Sequence, residues 1–140
     1  MINSVLVDTS FLVALLNSGD VHHQRAVEIQ SEFEKNNVNL IIPDVVVNES
    51  LAVLQRRLAE KGQEDFVRVG KEIVDLWKKD QVFFYIYVVS NWVDVIDLVF
   101  SSEGKLNFHD ALLIVGAKKR GINRIASFDS DFDGYLNRMG

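Results

Sequence analysis

Four acids in this chain stand where a solvated surface does not explain them: Asp8, Glu49, Asp110 and Asp129. Asp8 ends the apolar run Val5-Leu6-Val7 and precedes two hydroxyls, Thr9 and Ser10. Glu49 follows Val46 by three residues and precedes Ala52 and Val53 by three and four, so on a helix its surface neighbours are apolar. Asp110 opens the stretch Ala111 to Ala117, with Leu113 and Ile114 at those same offsets, and Asp129 follows a second short β-forming run. Carboxylates gathered in a desolvated pocket raise one another's pKa and destabilise the fold unless a cation joins them. Without cysteine or a histidine pair at ligand spacing, an all-oxygen set favours hard Mg²⁺ or Mn²⁺ over Zn²⁺. Each acid also has a plainer role. Asp110 is a first-turn acid behind an Asn107 cap, Asp129 a turn or cap residue, and Asp8 a cap, although Ser10 is expected to fill that place.

The elements that must position these acids follow from periodicity. Ser4 to Val7 reads as a strand buried on both faces, with Asp8 at its carboxyl end, where open α/β sheets bind ligands. A short helix through Leu16, an amphipathic helix from about Val21 to Lys35, and a strand Val38 to Ile42 stopped by Pro43 come next. Asp44 is expected to cap a helix to about Glu60, and past Gly62 a second helix, Gln63 to Lys79, completes a hairpin. Val82 to Val89 reads as the third strand and Asn91 to about Ser102 as a helix stopped at Gly104. A buried helix opened by Asn107 ends at Lys118 to Gly121, and the strand Arg124 to Phe128 leads to a short last helix. Strands alternating with helices predict an α/β fold: one domain over 1–140, with a mainly parallel sheet of four or five strands flanked by helices on both faces. Parallel pairing sets Asp8 and Asp129 at one edge, so the four acids describe two strand ends and two helix openings along one rim.

Composition bounds the function. With 140 residues, 48% hydrophobic and 25% charged, the chain has the material for a packed core, which excludes a disordered or fibrous protein. Its longest apolar runs fall short of the ~20 residues that span a bilayer, and no signal-peptide pattern opens it, so a cytoplasmic address without membrane contact is expected. The net charge of −5 argues weakly against a nucleic-acid partner. Net charge hides arrangement, however, and Arg56, Arg57, Lys61, Arg68 and Lys71 are candidates for a basic stripe. Divalent ions on such acids activate water and neutralise charge in phosphodiester hydrolysis, so a nucleic-acid backbone is the substrate class that fits.

The chain resembles PIN-domain ribonucleases, and more narrowly the single-domain VapC-type toxins of toxin-antitoxin pairs. The marks are Val7-Asp8-Thr9-Ser10-Phe11, Asn48-Glu49, Phe108-His109-Asp110-Ala111-Leu112 and Ser127-Phe128-Asp129-Ser130-Asp131-Phe132, in that order over almost the whole chain. The resemblance implies a catalytic quartet of Asp8, Glu49, Asp110 and Asp129 holding Mg²⁺ or Mn²⁺, with Asp131 as a fifth ligand and Ser10 and Ser127 orienting the carboxylates. It implies an endoribonuclease with an RNA substrate, a homodimer, and a small antitoxin partner.

Other features receive structural roles. Adjacent His22 and His23 cannot form a helical metal pair, and His109 is set aside because its neighbour Asp110 faces elsewhere on a helix. Phe83, Phe84, Tyr85 and Tyr87, with Trp77 and Trp92, are expected to pack in the core. A ribonuclease H-like fold would open with an antiparallel meander, and a dehalogenase-like phosphatase would want an acid at Ser10. A phospho-receiver would want an acidic pair beside Asp8. A non-catalytic interaction module using the hairpin Asp44 to Lys79, or an RNA-processing PIN nuclease without an antitoxin, is the alternative to the toxin reading.

Overall fold

Strand β1 (Ser4–Val7) is buried throughout and occupies the middle of a five-stranded sheet. The computed structural model describes residues 3–59, 63–78, 82–83 and 87–140. The other strands are β2 (Asn39–Pro43), β3 (Val82–Phe83), β4 (Arg124–Ala126) and β5 (Asn137–Met139). The order is β3-β2-β1-β4-β5 and every pairing is parallel. The helices are α1 (Thr9–Leu16), α2 (His23–Lys35), α3 (Asp44–Leu58), α4 (Gln63–Lys78), α5 (Tyr87–Ser101) and α6 (Phe108–Lys119), with a 3-10 turn at Ser130–Phe132. None of the helices is long and apolar enough to cross a membrane, among the described residues.

Strand order dictates the layers. From β1 to β2 to β3 the chain steps one way across the sheet, and from β3 to β4 it crosses back over β1. Right-handed crossovers then put α1 to α4 on one face and α5 with α6 on the other. The direction reverses between β1 and β4, and that crevice is where such sheets bind ligands. Helix α6 is buried on two sides: Leu113, Ile114 and Ala117 join the main core, while Ala111, Leu112 and Val115 pack with Val95 of α5. The expected caps around it hold. Asn107 accepts the Asp110 N–H at 2.8 Å, and Gly121 (φ +71°) ends the helix in a Schellman turn, with Ile122 N–H bonded to Ala117 O at 2.9 Å.

Several expectations need correction. The third strand is only Val82–Phe83, and Tyr87–Val89, expected to extend it, instead open α5, which kinks at Asn91; 84–86 lie outside the described residues. A short run of aromatic and β-branched residues fits a buried helix turn as well as a strand, and an edge strand gains little from length. The fourth strand stops at Ala126, the last helix is a single 3-10 turn, and the strand β5 follows it unforeseen. Asp44 is the first residue of α3, behind Pro43, rather than its cap. Trp92 is 56% exposed, not a core residue, and the side chain of Trp77 lies outside the described residues.

Phe132 is fully buried and anchors the turn that carries Asp129 and Asp131. Phe132→Ala is expected to cost about 3–5 kcal/mol, read as a lower urea midpoint at unchanged m-value.

Candidate active site

The N-cap place of α1 belongs to Asp8, not Ser10, yet the Asp8 carboxylate makes no capping bond. It is instead held by two hydroxyls. Ser10 Oγ donates to Asp8 Oδ2 at 3.0 Å and Ser127 Oγ donates to the same oxygen at 2.8 Å. Each hydroxyl has one proton, so both are spent on Asp8, and each oxygen is free to accept. Ser10 Oγ accepts the Phe128 N–H at 2.9 Å, and Ser127 Oγ accepts the Asp129 N–H at 3.0 Å. Strand pairing completes the lock, with Asp8 N–H on Ala126 O and Ser127 N–H on Met139 O. The ends of β1 and β4 are thereby tied together, and Asp8 is left 5% exposed with Oδ1 accepting from none of the described residues.

The other expected acids arrive from both faces of the sheet. Asp110 is in the first turn of α6 and 7% exposed. Asp129 accepts the Asp131 N–H at 2.9 Å, which fixes the 3-10 turn and the Asp129 carboxylate. Two sets of potential ligand atoms lie within 4.8 Å of one another: Asp8, His109 and Asp110, and Asp110, Asp129 and Asp131. Glu49 of α3 is in neither set, and its side chain is 44% exposed because Ala52, one of its expected apolar neighbours, faces solvent. Its Oε2 lies 3.0 Å from the buried His109 Nε2.

His109 is the residue that sequence reasoning set aside and the structure brings in. Consecutive helical residues do point apart, but an imidazole in the first turn is long enough to bend back over the helix end toward Asp8. His22 and His23 form no metal pair: His22 stacks on Phe128 at 4.4 Å, and His23 Nδ1 lies 2.7 Å from Ala14 O.

Asp8, Glu49, Asp110 and Asp129 line an open cleft of about 860 Å³, whose walls include Phe128, His22 and Arg57. Among the described residues of the expected basic stripe, Arg57 is the one on that wall, and it is paired with the buried Asp20 carboxylate at 2.6 Å. Arg68 pairs with Glu72, and Lys61 lies outside the described residues.

Electrostatics concentrate on Asp110. Burial, then the charges of Asp8, Asp129, Glu49 and Asp131, push its carboxyl from 3.8 up to about 7. A divalent cation fits this donor set, because it would give the buried, unbonded Asp110 carboxyl a partner and offset the repulsion.

A raised carboxyl pKa means that the folded chain keeps a proton that the unfolded chain releases. Without metal, stability contributed by this group is therefore complete below about pH 4 and is lost as pH rises toward about 7. Asp110→Asn removes the titration. In chelator, urea unfolding should show the variant gaining on wild type between about pH 5 and about pH 8, by about 1–2 kcal/mol after solvent screening. A difference that does not change with pH would contradict this.

Comparison with known proteins agrees with the geometry. No curated protein sequence is significantly similar to the chain. Among solved structures, it is similar to VapC20 of Mycobacterium tuberculosis, a sarcin-ricin loop cleaving toxin, at a TM-score of 0.70 and 24% identity, over 94% of this chain and 96% of that one. That likeness concerns the fold. The PIN domain family model matches residues 5–135, a span that includes every acid of the cleft, and the chain belongs to the PIN domain family.

Proposed function

We propose that the chain is a metal-dependent endoribonuclease that hydrolyses RNA phosphodiester bonds, and that it is the toxin of a toxin-antitoxin pair. The observation that carries this reading is the buried Asp110 carboxyl, shared by two acid-rich ligand sets at the reversal of strand order. Membership of the PIN family and likeness to a toxin that cleaves RNA support it from outside the site.

In this reading Asp8, Asp110 and Asp129 hold Mg²⁺ or Mn²⁺, with Asp131 and Glu49 completing the ring of charge. The chemistry such an ion supplies when bound is activation of water and neutralisation of charge on a phosphodiester. The chain's own part is positional. Ser10 and Ser127 fix Asp8 through Oδ2, and the Asp131 N–H in the 3-10 turn fixes the Asp129 carboxylate. The cleft is open, and Arg57 lines its wall paired with Asp20. Trp92, Val93 and Phe100 of α5 are exposed, which supports pairing with a second copy of the chain. An antitoxin partner is proposed from the family likeness.

The test is cleavage of a labelled, partly single-stranded RNA in Mg²⁺ or Mn²⁺. Chelator should abolish cleavage, and Asp8→Asn and Asp110→Asn should each slow it at least about 100-fold, ~2.7 kcal/mol of barrier. Either variant cutting at the wild-type rate would remove that residue from the site.

A further inference from the structure

Beside the acids of the cleft stands one group that an all-acid site leaves without a role. His109 is one of three histidines in the chain, and its side chain is 24% exposed, with Nε2 shut off from solvent. That nitrogen faces Glu49 Oε2 at 3.0 Å, which leaves the other nitrogen of the ring for a ligand. One ring nitrogen also lies within 4.8 Å of ligand oxygens from both Asp8 and Asp110. Beside it, the Asp110 carboxyl is nearly buried, lines the cleft, and is hydrogen-bonded by none of the described residues. A ring nitrogen and a carboxyl that none of the described residues hydrogen-bonds thus lie within 4.8 Å of each other.

We propose that His109 is itself a metal ligand through the ring nitrogen that Glu49 does not face, making with Asp8 and Asp110 a mixed nitrogen-oxygen site that prefers Mn²⁺ to Mg²⁺. The proposal rests on reading the cleft as a divalent-ion site. Mg²⁺ takes oxygen donors and gives up its waters reluctantly, whereas imidazole is a good donor to first-row transition ions. Replacing one carboxylate by a neutral ring also lowers the like-charge repulsion that three acids would impose. Glu49, which belongs to neither ligand set, then becomes a positioning residue, its carboxylate set against the His109 ring at 3.0 Å as carboxylates commonly sit behind metal-bound histidines.

The test uses the full chain stripped of metal and loaded with less than one equivalent of Mn²⁺. Electron spin-echo envelope modulation should show directly bonded nitrogen in wild type and in His22→Gln, and none in His109→Gln. Isotopic labelling of the histidine ring nitrogens should shift the modulation frequencies. Calorimetry on the same samples should find His109→Gln weakening Mn²⁺ binding at least roughly tenfold and Mg²⁺ binding by less than about threefold. An unchanged urea midpoint would show that the variant folds. Bound Mn²⁺ without nitrogen modulation in wild type would overturn the proposal, as would modulation that survives in His109→Gln. If Asp8→Asn still abolished binding in those cases, the metal-nuclease reading would stand; a wild-type chain that binds no Mn²⁺ would overturn both.

Discussion

Burial strips the Asp110 carboxyl of water while the charges of Asp8, Asp129, Glu49 and Asp131 press on it, and the fold must hold that arrangement against its own electrostatics. The helix N-terminus at which Asp110 stands favours an anion, but only by ~0.3 to 1 kcal/mol, too little to prevail over desolvation and four like charges. What keeps the acids in place is packing elsewhere. Strand β1 is wholly buried, and α6 contributes apolar residues to two clusters on opposite sides. Asp8 and Asp110 are carried on the best-packed elements in the chain, so their repulsion cannot be relieved by local movement without disturbing the core.

Topology explains why these acids meet although they are distant in sequence. The reversal of strand order sets the carboxyl ends of β1 and β4 side by side and brings α3 and α6 to the same rim from opposite faces of the sheet. Ser10 and Ser127 then join the two strand ends through a single carboxylate oxygen. Hydroxyls suit this task better than cations would, since they orient the carboxylate without neutralising it and leave its other oxygen for a ligand.

Much of this was legible in the residues. Asp8 marks a strand end because an apolar run stops abruptly there, and the Asn107 cap and Gly121 stop frame α6 by local chemistry alone. Strand β5 was hidden, because Asn137-Arg138-Met139 has neither alternation nor β-branching and is a strand only because the edge of β4 accepts it. Tyr87–Val89 was misplaced because periodicity over so short an apolar run does not separate strand from helix. His109 was missed through a rule about helix faces that holds for Cβ directions but not for the reach of a ring in an open first turn. The place of Asp8 at the N-cap, usually filled for its capping bond, was also hidden, since the hydroxyls that divert its carboxylate come from Ser10 beside it and from Ser127 far along the chain.

The central claim is that these side chains form a divalent-ion site at the reversal of the sheet. The most direct measurement is an anomalous difference map from crystals grown with Mn²⁺ and recorded near the manganese absorption edge. The account predicts the dominant peak among Asp8, Asp110 and Asp129. Ordered carboxylates with no peak between them, or a dominant peak elsewhere on the surface, would contradict it.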